Sequence, residues 1–292
     1  HMVGIPSPMF AASAFDVSDA ERSRVYDSCY DNGLPFAMMT SFGDTLVDEK
    51  SNTTVQDYLE QRLRARIHDP ALAEHLIPQG QYVGSRRMCI DTDYYETFNR
   101  PNVSLRDLRD NPLERITAEG VQLRDGFEPL DCLVFATGYD AITGALLAMD
   151  IRGRDGISLR ESWAHGPKTM MGLMIDGFPN LFTVTGPGSP SVFSNVLVSI
   201  EQHVEWIAGC LGYMKKKGLK SIAATPEGQE QWVAHVNEVA NATLVPRGDA
   251  WYSGANVPGK PKIFTPYIGG VGAYRQLCDG IAAAGYKGFA LA

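Results

Sequence analysis

Long apolar runs, paired cysteines and basic clusters are what this sequence lacks. No stretch of roughly 18 apolar residues occurs, so no segment reads as a membrane-spanning helix. Its 5 cysteines, Cys29, Cys89, Cys132, Cys210 and Cys278, are odd in number and form no Cys-x-x-Cys pair. That argues against a disulfide framework or a structural zinc and for a reducing cytoplasm, and no metal site is expected. Charge is net negative, -8 from 26 Lys+Arg against 34 Asp+Glu. The run Lys215-Lys216-Lys217 closes a helix, where positive charge suits the dipole. Nucleic acid and anionic lipid are therefore excluded as expected partners. Two glycine motifs are also missing. No segment supplies G-x-G-x-x-G, because Ser191 stands where the third glycine would follow Gly186 and Gly188, and G-x-S-x-G is absent.

What is present suits a globular fold. The 292 residues, 44% hydrophobic and 21% charged, can bury the core of one large domain or two smaller ones. His1-Met2 reads as a cloning scar, and Val3-Gly4-Ile5-Pro6-Ser7-Pro8 as the middle of a longer chain. Leu244-Val245-Pro246-Arg247-Gly248 matches a thrombin cleavage sequence, but its flanks have no linker composition, so chance explains it.

The first part reads as helical. Ser18 and Glu21 form a capping box for a helix that stops near Gly33 and puts Val25, Tyr26, Cys29 and Tyr30 on one face. Asn52-Thr53-Thr54 opens a second helix carrying Val55, Leu59, Leu63 and Ile67. Asp69-Pro70 caps a third. Val103, Leu105 and Leu108 read as a strand-like stretch. Ile116 to Leu123 reads as a hairpin turning at Glu119-Gly120, with a further turn at Asp125-Gly126. Leu133-Val134-Phe135-Ala136 and Asn180 to Thr185 read as strands, the former covered on both faces. Leu197, Ile200, Val204, Ile207, Leu211 and Met214 form one apolar helical stripe ending at Gly218. A further helix from Thr225-Pro226 carries Trp232, Val233, Val236 and Val239. Trp163, Trp206 and Trp232 read as core. Strand, glycine loop and helix in this order predict an α/β, nucleotide-binding type of architecture beside a helical subdomain.

The Gly186-Pro187-Gly188 turn has two readings. A glycine turn before a helix exposes backbone N–H groups that suit an anion. Equally, it permits close strand–helix packing.

Here the wording becomes specific. The segments Gly166 to Thr169, Gly177 to Phe182 and Gly186 to Trp206 resemble the C-terminal core of Baeyer–Villiger flavin monooxygenases. Phe42-Gly43-Asp44, Arg86-Arg87 with Asp93 to Arg100, Phe135 to Ala141 and Trp251 to Pro261 are similar in the same order. The likeness covers nearly the whole chain and is greatest to the phenylacetone and steroid branch. It implies FAD, NADPH and O2 as partners in converting ketones to esters or lactones. It implies the C-terminal parts of two dinucleotide-binding domains: a helical subdomain over 3–81, an NADP-domain part over 82–138, and an FAD-domain part over 139–292 with a mobile loop near 245–265.

By the same resemblance Arg87 is the active-site arginine, a permanent cation able to stabilise developing negative charge. Arg86 lies near the NADP 2′-phosphate. Trp251 reaches cofactor or substrate from the mobile loop. Thr137 and Gly138 cross between the two domains. Gly186, Pro187, Gly188 and Asn195 bind cofactor, and Ser191, Val192, Phe193 and Val196 line the substrate.

The family's remaining motifs belong to an N-terminal half and are not found here. The chain alone is therefore expected to be inactive, to hold FAD poorly and to leave apolar strand edges exposed. A separate N-terminal fragment is one expected partner. The alternatives are a non-catalytic interaction module and a flavin monooxygenase that oxidises nitrogen or sulfur.

Overall fold

The computed structural model describes residues 11–292, so the readings of His1-Met2 and of Val3 to Pro8 fall outside the described residues. The first third is helical. Helix α1 spans Asp19–Asp31, and the Ser18 side chain accepts from the Glu21 N–H, as the capping pattern predicts. The short α2, Pro35–Met39, follows with proline in its first turn. Helix α3, Glu49–Arg64, begins earlier than the Asn52 signal suggests, because Asp48 is its N-cap. Asn52 is instead buried inside the helix, where its amide donates to the Thr45 carbonyl at 2.8 Å and the Val83 carbonyl at 3.0 Å. Helix α4, Pro70–Leu76, has Asp69 as its cap and proline in its first turn. Tyr26, Cys29, Phe42 and Val55 form the core of this region, with Tyr58 and Leu59 packed against it.

After the short α5, Tyr94–Thr97, comes an antiparallel meander of β1 (Leu113–Ile116), β2 (Gly120–Leu123) and β3 (Gly126–Pro129). Its turns fall at the glycines singled out by sequence. Gly120 is obligatory, since its φ is 155° and a Cβ there would sit 2.1 Å from the Glu128 carbonyl oxygen. The Val103 to Leu108 stretch is not a strand; it carries no ladder and ends in a turn.

The largest core closes the C-terminal half. Helices α6 (Gly144–Ala148) and α7 (Leu159–Ser162) precede the long α8 (Val196–Lys217). Strand β4 (Ile222–Ala224) pairs antiparallel with β5 (Phe289–Leu291), flanking α9 (Pro226–Asn241) and α10 (Val271–Ala283). Trp206, Cys210 and Met214 of α8, Trp232 and Val236 of α9, and Tyr274 and Cys278 of α10 meet around Met171, Leu173 and Met174. Trp163 is buried in a neighbouring cluster with Leu159, Ile175 and Phe178. The thrombin-like segment belongs to the fold: Leu244 and Val245 are buried, and Arg247 pairs with Glu49 at 2.5 Å.

Three further expectations fail, each for a physical reason. Leu133 to Ala136 is not a covered strand: Val134, Phe135 and Tyr139 are 80%, 67% and 88% exposed, and among the described residues no strand pairs with them. Asn180 to Thr185 forms no ladder either, because it turns at both ends, where Asn180 (φ 61°) and Thr185 (φ 53°) are left-handed; its Thr183 N–H goes to the Leu173 carbonyl at 2.8 Å and its Asn180 N–H to Ile222. On α8 the core takes the Ser199, Gln202, His203, Trp206, Cys210 and Met214 face. Of the expected stripe only Met214 is buried, and Leu197 (70%), Val204 and Leu211 lie on the surface. Trp206 and the cysteine beside it fill the core better than the aliphatic row, so packing overrode the simple periodicity. Among the described residues no helix is long and apolar enough to cross a membrane.

Candidate functional site

The Gly186 loop does not lead straight into α8. A 3-10 turn, Ser191–Phe193, intervenes, and Asn195 is the N-cap, its side chain accepting from the Leu197 N–H at 3.1 Å. Asn195 is thus committed to capping in this structure. The loop's glycines are required by close packing. A Cβ at Gly186 would lie 2.6 Å from the Gly172 carbonyl oxygen, and Gly188 has φ 86° with Trp232 Nε1 3.0 Å from a Cβ. Pro187 and Gly188 are tied to the core: the Gly188 N–H donates to Thr265 at 2.8 Å, its carbonyl accepts from Trp232 Nε1 at 2.9 Å, and Thr169 Oγ1 bonds the Pro187 carbonyl.

In front of the loop lies an open cleft of about 420 Å³. Thr183, Val184, Thr185 and Gly186 form one wall, Ser191 and Val192 another, and Ile142, Leu146 and Trp251 close the sides. The size and the mix of apolar faces with a few polar groups suit a small-molecule site. Among the described residues, the N–H groups of Gly186, Ser191 and Val192 have no hydrogen-bond partner. These backbone donors belong to residues that line the cleft.

Backbone strain gathers at the same place. Ile142 (φ 66°), Thr185 (53°) and Ser191 (40°) are left-handed without being glycine, and all three line the cleft. Two of them are β-branched, for which such a φ is unfavourable and persists only when surroundings impose it. None of these was singled out by sequence except Ser191. The signal available was position alone: Thr185 immediately precedes Gly186, and Ile142 follows the Tyr139-Asp140-Ala141 block.

Arg87 sits at the rim, and Arg86 lies beside the segment that carries Trp251. Arg87 Nη1 donates to the Val192 carbonyl at 2.6 Å, and its guanidinium lies 5.0 Å over the Phe36 ring. Arg86 Nη2 donates to the Asp249 carbonyl at 2.9 Å. The 248–253 segment is anchored beside them. Tyr252 is buried, and its hydroxyl donates to the Ser85 carbonyl. Burial also drives the Tyr252 pKa far up, so it remains a neutral donor. Trp251, its neighbour, reaches the cleft, so the loop is held at one residue and presents the next.

Other expected positions lie apart. The Phe193 ring packs edge-on against Tyr252, 5.2 Å between centroids, and Val196 is exposed at the start of α8. Neither lines the cleft. Thr137 and Gly138 are exposed, and their segment is tied to the Trp251 block: Asn256 donates to the Tyr139 carbonyl at 3.0 Å and Lys260 pairs with Asp140. Asp44 of the Phe42 block is structural. It accepts from Ser13 and Ser51 hydroxyls and the Ala14 N–H, which hold its carboxyl below the usual range against the opposing effect of burial.

No family model matches the chain. Acetone monooxygenase (methyl acetate-forming) from Gordonia sp. strain TY-5 is 41% identical, over 97% of this chain and 55% of that protein. The crystal structure of cyclohexanone monooxygenase from Rhodococcus sp. Phi1 bound to NADP+ is 39% identical, with a TM-score of 0.94 over 99% of this chain and 54% of that one. The crystal structure of OTEMO in complex with FAD and NADP is 34% identical, with a TM-score of 0.94 over 100% of this chain and 54% of that one. The chain spans about half the length of the relatives it matches.

Proposed function

The chain belongs to the Baeyer–Villiger monooxygenases, and on that premise we propose that it contributes one wall of a site that oxidises ketones with O2, FAD and NADPH. The observation that carries this reading is the cleft itself. Three unpartnered backbone N–H groups, Trp251 and an Arg87-bound Val192 meet there, on a backbone strained at three residues.

The residues fit the ring end of a flavin better than its phosphates. Apolar Ile142, Leu146, Phe182 and Val184 suit a flat ring system, and the free N–H groups suit its electron-rich edge. Nothing in the chain offers the glycine cradle a pyrophosphate needs. When bound, FAD reduced by NADPH would supply the oxygen activation. Arg87 would then stabilise negative charge developing beside Val192, a donor effect of about 3 kcal/mol. Ser191 and Val192 would orient the ketone, Trp251 would exclude water, and Arg86 would meet the NADP 2′-phosphate. Gly186 and Asn195 serve the cofactor through the wall they shape, and Thr137 and Gly138 form a crossing between cofactor domains.

The parts divide as 3–81 helical, 82–138 NADP-domain and 139–292 FAD-domain. A complementary N-terminal portion, separate or continuous, would cover Val134, Phe135 and the exposed α8 row. Five free thiols favour a reducing cytoplasm. Oxidation of nitrogen or sulfur is the weaker reading, since the acetone- and cyclohexanone-oxidising relatives favour a ketone.

Co-expression with an N-terminal half from the family, assayed for ketone-dependent NADPH oxidation, tests the proposal. Activity that falls at least about a hundredfold in Arg87→Ala supports it. Full activity in that variant refutes the role of Arg87.

A further inference from the structure

His203 is buried in α8, outside the cleft, and no step above uses it. Its hydrogen bonds have a fixed direction. The Thr185 N–H donates to Nδ1 at 2.9 Å, so Nδ1 carries no proton. The neutral ring then holds its proton on Nε2, which donates to the Tyr274 hydroxyl oxygen at 2.8 Å. That hydroxyl in turn donates to the Met171 carbonyl. A second proton on the imidazole would confront the Thr185 N–H with another donor. Burial disfavours the cation as well, lowering the pKa to about 4.

The two ends of this relay are not ordinary positions. Thr185 (φ 53°) and Met171 (φ 62°) are both left-handed residues that are not glycine. They lie on two segments packed back to back. Thr183 donates its N–H to the Leu173 carbonyl and its hydroxyl to the Gly172 carbonyl, each at 2.8 Å. Gly172 lies so close that a Cβ there would be 2.9 Å from the Gly186 oxygen. The front segment, Thr183 to Gly186, is the wall of the cleft. A satisfied core histidine needs any two partners; this one bonds the wall on one side and its backing, through Tyr274, on the other.

We infer that His203 is a positioning residue for the cleft: with its proton on Nε2 it holds the left-handed turn at Thr185 directly and the one at Met171 through Tyr274. The meaning of this for catalysis rests on the reading of the cleft given above. The geometry does not, and its test needs no cofactor.

The test is amide hydrogen exchange and 15N-histidine NMR on the 292-residue chain. Asn at position 203 places Oδ1 where Nδ1 stands but has nothing at Nε2; Leu removes both. The expected result is a neutral Nε2–H tautomer, with the Thr185 amide exchanging at least about tenfold faster in His203→Leu and within about threefold of the parent in His203→Asn. Tyr274→Phe should leave Thr185 protected within about threefold and speed exchange at Thr183, backed by the Met171 turn, about tenfold. Equal loss of Thr185 protection in the Asn and Leu variants overturns the inference. So does an Nδ1–H tautomer in the parent chain, a result that stands even if the Leu variant does not fold. Absence of ketone oxidation in the assembled parent enzyme, with these exchange patterns observed, would sink the cleft's reading and leave the relay standing.

Discussion

Two apolar regions of this chain have opposite fates. Around Trp206 the chain closes on itself: α8, α9, α10 and the β4–β5 pair bury a continuous core. At Leu133 to Tyr139, and along Leu197, Val204 and Leu211, comparable side chains face outward. Composition does not separate the two regions. What separates them is a cover, which the first finds within the chain and the second does not find among the described residues. Exposed apolar side chains of that kind are where we propose that an N-terminal portion docks.

The contrast can be broken at its strong end first. Trp206→Ala should cost about 3–5 kcal/mol in denaturant titration, since the ring is buried against Tyr286 and Phe289 and its Nε1 bonds the Cys278 carbonyl. A loss below about 1 kcal/mol would mean that this core is not the closed one.

The pH dependence comes next in size. Burial lowers the pKa of His203 from 6.5 to about 4. As pH falls, the unfolded chain takes up the proton near 6.5 while the folded chain refuses it until near 4. Stability is therefore whole above that window and lost progressively within it, by about 3 kcal/mol in total. Tyr274 and Cys278, in the same cluster, are pushed up by burial, Cys278 to about 12, so neither titrates there. His203→Asn should flatten this slope in denaturation curves measured between those pH values.

Gly186→Ala should cost about 1–3 kcal/mol, because the added methyl meets backbone, which yields less readily than a side-chain end. The smallest effect belongs to the open region. Phe135→Ser should change the chain's own stability by less than about 0.5 kcal/mol. The same substitution should weaken association with an N-terminal half about tenfold or more, measured by titration calorimetry. A large intrinsic loss would show that the region is closed after all.

Much of this was legible in the sequence. The caps at Ser18, Asp69 and Thr225, the Gly120 hairpin and the buried tryptophans follow from local rules that tertiary context did not override. The rotation of α8 was not legible, because its buried face mixes Ser199, Gln202 and His203 with Trp206, Cys210 and Met214, and only packing selects that face over the aliphatic row of Leu197. Strand character at Leu133 to Ala136 is not legible for a related reason: β-propensity does not say whether a neighbour is present. At the site, Arg87, Ser191, Val192 and Trp251 stand out in the sequence and meet at the cleft or its rim. The strained Ile142 and Thr185, and His203 behind them, do not, since backbone φ and hydrogen-bond direction leave no mark in residue type.

The most direct test is flavin retention. The chain should be purified alone and after co-expression with an N-terminal half from the family, and FAD absorbance read per chain. A chain that retains no flavin alone, and near-stoichiometric flavin in the complex, is the predicted result. Near-stoichiometric FAD on the chain alone, or none in a complex that has formed, would contradict the view that it carries one wall of a shared site.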